Sequence, residues 1–422
     1  MADSAGLTGS AGSGRTVIRG GEVFDPSAAR IAPGEVFIDG GQFVEPFDPA
    51  SADRVIDASG LLVTPGWVDL HTHVFIGQDL AVDPSILGPA TGVTTMIDTG
   101  SAGAHLYDLF VAAVLPDAVP RVRAFINISA IGTTSILLAG ELRQLDYVDE
   151  RACIESIRRH PEIIGVKVRA SANIGGENTS EALRRARRVA DAVSLPLMVH
   201  IGPAPATYAE VLATLRRGDI VTHCFTSYVD TPIADPEQGD RLLEVALAAR
   251  DRGVLFDVGH GGGSFDAKRA AAAIRAGFLP DTISSDVHAY ADLPAGGDVP
   301  GAEANTADGA EPNGGDLHGA GGSLTEGGLP LVVDKMLALG MDLEQTLLAV
   351  TAAPAAAAGL ASLGIGSMRT GAPADVALFR VVTGPVALQD PQGFEFCGDR
   401  SLRTVMTLQS GVVVYEKRES AA

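Results

Sequence analysis

TPGWVDLHTHV, residues Thr64 to Val74, opens on a Pro-Gly turn and carries Trp67, Val68 and Leu70 up to two histidines. A short apolar run after Pro65-Gly66 predicts a buried β-strand with His71 and His73 at its C-terminal end. Side chains along a strand alternate faces, so residues two apart point the same way. Two imidazoles converging from one strand make half of a transition-metal site, because histidine is the commonest protein ligand for zinc. On its own, the pair is also what two satisfied polar groups near a strand end look like, so the other candidate ligands decide.

Downstream, short apolar runs alternate with amphipathic helical stretches. After Trp67 to His71, strands are expected at Gly92 to Gly100, Arg121 to Ser129, Ile163 to Ser171, Leu195 to Gly202, Asp219 to Phe225, Gly253 to His260 and Asp281 to His288, eight in all. Between them, SEALRRARRVADAV (Ser180 to Val193) repeats Ala182, Leu183, Ala186, Val189 and Ala190 at helical spacing, with Arg and Asp on the other face. YAEVLATLRRG (Tyr208 to Gly218) and GDRLLEVALAARDRG (Gly239 to Gly253) each end in basic residues and a glycine, as helix C-termini prefer. This order fits a (β/α)8 TIM barrel, with a doubly wound open sheet as the competitor.

A barrel demands that functional side chains gather at the C-terminal ends of its strands. His71 and His73 end the first, Lys167 lies late in the fourth, His200 ends the fifth, His223 the sixth and Asp286 the eighth. His200 or His223 alone reads as a hydrogen-bonded core histidine; the set reads as a site. Lys167, in the run IIGVKV, is costly to bury as an ammonium, so its pKa is expected to fall and leave a neutral amine. Such an amine can take up carbon dioxide as a carbamate, whose two oxygens suffice to bridge two metal ions. A snorkelling or acid-paired lysine is the alternative. Arg169, two residues on, shares the Lys167 face and could clamp a substrate carboxylate or pair with a neighbouring acid. His260 and His288 are placed to reach a substrate or to orient a ligand through a hydrogen bond. Cys224, adjoining His223, should face away and pack.

The two ends of the chain are different in kind. From Arg15 to Val63, and again from Ala374 to Arg418, short runs of Val, Ile and Phe are punctuated by Gly, Pro and Asp, the pattern of small antiparallel strands and tight turns. A small β-sandwich domain built from both ends (15–63 and 367–418), with the barrel (64–366) inserted between them, is expected. Residues 1–14 are small and polar and suggest a disordered start. The run from Ala291 to Gly328, with eleven glycines, seven acidic residues and no Lys or Arg, suggests a solvated loop on the active-site face, with a lid or oligomer contact as the alternative.

Composition restricts the partners. With 46% hydrophobic residues the chain can bury a large core, and a net charge of −21 argues against nucleic acid or an anionic membrane as partner. Three scattered cysteines favour a reducing compartment, and with neither a signal peptide nor a bilayer-length apolar run the expectation is a cytoplasmic protein.

Taken together, PGWVDLHTH, GVKVRAS, PLMVHIG, DIVTHCF and ISSDVH resemble the amidohydrolase superfamily, in particular its dihydroorotase-like and deacetylase-like metal-dependent hydrolases, from about Thr16 to about Val414. The resemblance implies a binuclear centre, usually zinc. His71, His73 and Asp286 would hold the more buried ion, His200 and His223 the more exposed one, and Lys167, carboxylated by carbon dioxide, would bridge both. It further implies a metal-bridging hydroxide as nucleophile, with Asp286 as the catalytic proton carrier. A small-molecule substrate, one that could bear a carboxylate, and a homo-oligomer are expected. KVRAS and HIGPAP favour a linear amide or ester, as for a deacetylase or N-acyl amino acid amidohydrolase; a cyclic amidase of dihydroorotase or hydantoinase type and a non-catalytic scaffold are the alternatives.

Overall fold

The computed structural model describes residues 14–135, 138, 140–203, 205–228, 234–235, 241–290 and 327–417. The expected disordered start (1–14) and the glycine-rich run (291–328) fall almost wholly outside the described residues.

Both chain ends build one mixed sheet. Its strands are β1 (Thr16–Asp25), β2 (Arg30–Asp39), β3 (Gln42–Phe43), β4 (Arg54–Asp57) and β5 (Leu62–Pro65). The strands β6 (Trp67–Thr72), β7 (Val93–Gly103), β8 (Arg121–Asn127), β9 (Ile163–Ala170), β10 (Leu197–Ile201) and β11 (Ile220–Thr222) follow. A two-strand ribbon, β12 (Ala234–Asp235) and β13 (Arg241–Leu242), precedes β14 (Leu255–Phe256), and β15 (Val376–Gln389), β16 (Glu395–Gln409) and β17 (Val412–Glu416) return to the first sheet. In that sheet the order is β17-β16-β15-β5-β1-β2-β3, with β4 also on β1. The expected strands were antiparallel throughout; β1 in fact runs parallel to β4 and β5, because the chain crosses back after the β2–β3 hairpin before pairing again. Ile18, Val36, Ile38, Phe43, Val63, Val376 and Leu408 form the apolar core that this sheet encloses.

The central sheet is parallel, in the order β14-β11-β10-β9-β8-β7-β6. It closes through the eighth extended segment, 281–288, whose Thr282 bridges Asp257, just past β14, and whose Val287 bridges Thr72 of β6. A full strand was expected there. The segment is not regular because its backbone serves other partners: Ile283 N–H donates to Ala349 O, Ser285 N–H to Asp69 Oδ1, and Asp286 takes a positive φ of 48°. Asp69 also accepts from Ser285 Oγ at 2.5 Å, so a buried carboxylate fastens the closing segment to the first barrel strand. The helices run as expected, the second and third shorter. Thr179–Val193 buries the predicted alanine and leucine face, Tyr208–Thr214 stops before Arg216, and Glu244–Arg252 ends on Gly253 at φ 92°. Gly253 is where the left-handed turn needs the missing side chain. No helix among the described residues is long and apolar enough to cross a membrane.

Inside the barrel, Val68, Leu70, Ile97, Phe125, Met198 and Ile220 pack with Ala355, Ala358, Leu360 and Ile365 from the segment after the last barrel helices, giving an apolar plug. The two sheets are locked together by the bidentate pair of Arg121 with Asp375 and by Trp67, whose ring stacks on Phe379 at 4.3 Å. Trp67 and Phe379 are both fully buried, so truncation leaves a cavity. Phe379→Ala is expected to cost about 3 to 5 kcal/mol in urea unfolding and to shift the emission of Trp67, the only tryptophan in the chain; unchanged stability and emission would reject the stack as a joint between the sheets.

Candidate metal centre

β6 ends at Thr72, and its register against β7 shifts between Asp69 and Thr72. From this end His71 and His73 both reach Asp286 Oδ1, their Nε2 atoms lying 3.1 and 3.3 Å from it. Candidate ligand atoms of these three buried residues lie within 4.8 Å of one another. Asp286 is brought over by its own backbone: its N–H donates to His71 O at 2.8 Å, while Val287 O accepts from His73 N–H at 3.0 Å.

The remaining predicted ligands stand around this trio. Lys167 Nζ is 3.1 Å from His71 Nε2 and 3.6 Å from Met198 Sδ, above the apolar plug. His223, just beyond β11, puts Nε2 4.0 Å from Asp286 Oδ2, and its ring centroid lies 5.2 Å from that of His71. His200, on β10, is half-buried with its ring edge-on to His223, 4.4 Å between centroids. All six residues expected to form the site therefore gather at one end of the barrel.

The donor chemistry of His223 fits a metal. Its Nδ1 lies 2.6 Å from Gly259 O, and a carbonyl only accepts, so Nδ1 carries the proton and Nε2 the lone pair. That buried Nε2 has no hydrogen-bond partner, although it faces the acidic centre. An orphaned buried acceptor is costly unless a cation takes it. His223 and Asp286 are also two of the five described non-glycine residues with positive φ, 65° and 48°. Left-handed backbone at such residues costs about 1 to 3 kcal/mol each and collects where function requires a fixed geometry.

Burial dominates the electrostatics. It drives His71 and His200 well below the ordinary imidazole value and takes His223 and His288 down to about 4, which leaves these rings neutral and able to ligate. It also takes Lys167 down to about 7, against the pull of Asp286 and Asp257. Burial pushes the Asp286 carboxyl up, but the positive charge that His71 takes on when protonated, a hydrogen bond from His73 and the corresponding charge of His223 pull it the other way, well below the usual carboxylate range.

The substrate candidates meet different fates. Arg169 forks onto the buried carboxylate of Glu141, Nε to Oε1 at 2.8 Å and an Nη to Oε2 at 3.0 Å, which is the acid pair weighed against a substrate clamp. His260 hydrogen-bonds Gly261 O through Nδ1 and meets Lys335 Nζ at 2.9 Å through Nε2, while stacking on Phe265. His288 Nδ1 accepts from Tyr290 N–H, which leaves its proton on Nε2. Cys224 packs in the apolar core, as expected. Sequence reading missed Glu141, Lys335, Thr222 and Asp257. Asp257, an acid inside the apolar run VLFDV, carried a readable signal; Glu141 and Lys335 sit in segments with no strand pattern to place them.

The amidohydrolase family profile matches residues 62–414. The chain is 39% identical over 244 residues to Deacetylase Atu3266 of Agrobacterium fabrum, a match covering 57% of this chain and 59% of that protein. A deacetylase of Brucella anthropi is 38% identical over 57% of this chain and 60% of its own length, so the match spans less than two thirds of either relative. With a deacetylase of Enterococcus faecalis the identity is 30% over 84% of this chain and 87% of the other. Among solved structures, a dihydroorotase superposes with a TM-score of 0.80 at 27% identity, covering 96% of this chain and 98% of that one.

The depressed imidazoles make acid stability a test of the centre. In the metal-free protein, His223 and His288 stay neutral down to about pH 4, whereas in the unfolded chain they protonate near 6.5. The unfolded state therefore binds more protons within that window, so stability should fall as pH drops from 6.5 to 4. Urea midpoints across this range should show the slope and His288→Gln should flatten it; a pH-independent midpoint would contradict the burial of these rings.

Proposed function

This chain belongs to the amidohydrolase family, and on that premise we propose that it is a metal-dependent hydrolase of a small linear amide or ester, of the deacetylase or N-acyl amino acid amidohydrolase type. The observation that carries the reading is the buried convergence of His71, His73 and Asp286 with the orphaned Nε2 of His223 beside them. His71, His73 and Asp286 would hold the more buried of two divalent cations and His200 and His223 the more exposed. Zinc suits this set of neutral imidazoles and carboxylates. When bound, the cations supply Lewis acidity, acidifying a water and polarising the scissile carbonyl.

The chain's own residues do the rest. Lys167, buried and brought to about 7, has the amine form that can attack carbon dioxide with release of one proton, and the resulting carbamate would offer the cations two oxygen ligands. Asp286, ionised and lying beside the His71 and His73 imidazoles, takes the proton of the attacking water and delivers it to the departing nitrogen or oxygen. His288, with its proton on Nε2, is suited to donate to a substrate oxygen. Arg169 would offer a substrate carboxylate only the guanidinium edge left beyond Glu141, and His260 would contact substrate from the Lys335 side.

Hydrolysis of a cyclic amide is the second reading, favoured by the 0.80 TM-score to a dihydroorotase. Assays of the zinc-loaded protein on N-acyl amino acids, acylated hydroxy acids, dihydroorotate and hydantoins separate the two; turnover of the cyclic compounds alone would overturn the linear reading. Lys167→Ala should lose zinc and activity, with partial return in short carboxylic acids, whereas full activity would reject the bridge. For Asp286→Asn, a loss of about 10²- to 10⁴-fold in kcat is expected, and an unchanged rate would reject its role as proton carrier.

A further inference from the structure

Asp257 lies outside the proposed ligand set, yet it is completely buried directly beneath it. Its carboxylate accepts three hydroxyl hydrogens: Thr222 Oγ1 at 2.7 Å and Ser284 Oγ at 2.6 Å on Oδ2, and Thr282 Oγ1 at 2.7 Å on Oδ1. Each hydroxyl has a single hydrogen to give. Having spent its own on Asp257, Thr222 can only accept from its other neighbour, His71 Nδ1, at 2.9 Å. The proton of His71 is thereby fixed on Nδ1. Its Nε2 is left as a lone pair pointing at Asp286 Oδ1 and Lys167 Nζ.

A second set of bonds reaches the ring of His223. Ser284 Oγ, committed to Asp257, accepts from Gly259 N–H at 3.1 Å, and Gly259 O takes the Nδ1–H of His223. Position 259 must be glycine for this, since φ is +48° and a Cβ would stand 2.1 Å from Thr222 Oγ1. The carboxylate therefore sets the direction of the bond to His71 Nδ1, whereas the Nδ1–H of His223 is fixed by the Gly259 carbonyl itself; Thr282 ties the same carboxylate to the barrel-closing segment.

We infer that Asp257 and Thr222 are positioning residues that lock His71 in the Nδ1–H tautomer, so that its Nε2 lone pair faces the metal centre. Burial pushes the Asp257 carboxyl up, and the hydroxyls of Ser284, Thr282 and Thr222 that donate to it oppose that shift; as a carboxylate it only accepts, so each of these hydroxyls points inward and the direction of the bond to His71 is set from its buried end. An amide at 257 would break this, because its NH2 can donate to Thr222 and turn that hydroxyl toward His71 Nδ1. The proton of His71 would then move to Nε2, where it meets the Asp286 carboxylate instead of a cation.

The inference rests on the proposed metal centre, so two readouts are needed. Histidine-selective 15N imidazole spectra of the metal-free protein report the His71 tautomer, with the resonance assigned by its loss in His71→Asn. Chelator competition reports the zinc dissociation constant. Thr222→Val keeps the shape but removes the hydroxyl; it should shift His71 toward the Nε2–H form and raise the zinc dissociation constant about 10- to 100-fold. Thr222→Ser should restore both, and Asp257→Asn should behave like Thr222→Val. The inference is overturned if Thr222→Val keeps the Nδ1–H form with zinc binding within about threefold of wild type, or if Thr222→Ser is as impaired as Thr222→Val, which would make the methyl group and not the hydroxyl responsible. Should Asp257→Asn not melt cooperatively, the two Thr222 variants decide the matter. A wild-type chain that binds no zinc would overturn the centre itself, and the spectra would still decide the hydrogen-bond chain.

Discussion

Everything at the open end of the barrel depends on how the closing segment is held against the first strand. Ser285 gives both its N–H and its hydroxyl to Asp69, and the next residue donates its N–H to His71 O. These bonds force Asp286 into a left-handed conformation and lay its carboxylate across the two imidazoles. Burial pushes Asp69 up to about 7, against the bonds from Ser285 and His71, so the clasp itself is an expensive buried carboxyl. Such a cost is tolerated where the alternative is an unpinned strand edge and a misplaced ligand.

The same economy recurs around the site. Nearly every polar group there is buried, and nearly every one is held by a neighbour that fixes its orientation: Asp98 by Val74 and Ser101, His73 by Ser101, His223 by Gly259. Against this background the bare Nε2 of His223 stands out, because a low-dielectric surrounding that satisfies its neighbours leaves it alone. Neutral imidazoles, a depressed carboxyl and an amine near neutrality are together what a site needs to bind cations at ordinary pH. The apolar plug below, from Val68 to Met198, supplies the low dielectric that makes those values possible.

Much of this was legible in the sequence for one reason: a parallel barrel repeats the same local problem. Each buried strand must read as a short apolar run, each helix as an amphipathic stretch, and each functional side chain must sit where a run ends. That rule placed His71, His73, Lys167, His200, His223 and Asp286 on one rim. It worked less well where backbone bonds override the pattern. DTISSDVH reads as a strand by its alternation, but Asp69 and Asp257 compete for its serines, its threonine and an amide, and only two bridges form. The β1 pairings went astray for a similar reason, since alternation fixes which face a residue takes and says nothing of strand direction.

What the sequence by itself determined, then, is the list of elements and the end of each at which chemistry is found, because burial and periodicity are properties of neighbouring residues. Who meets whom across the barrel was decided only by the tertiary structure. Arg169 could have faced a substrate, yet Glu141, 28 residues earlier, reaches it first; Lys335 arrives at His260 from 75 residues away. Asp257 could have been any core acid until Thr222, Thr282 and Ser284 surrounded it. Partner choice and hydrogen-bond direction are non-local, for they depend on which single-donor hydroxyl is already spent, and no run of adjacent residues records that.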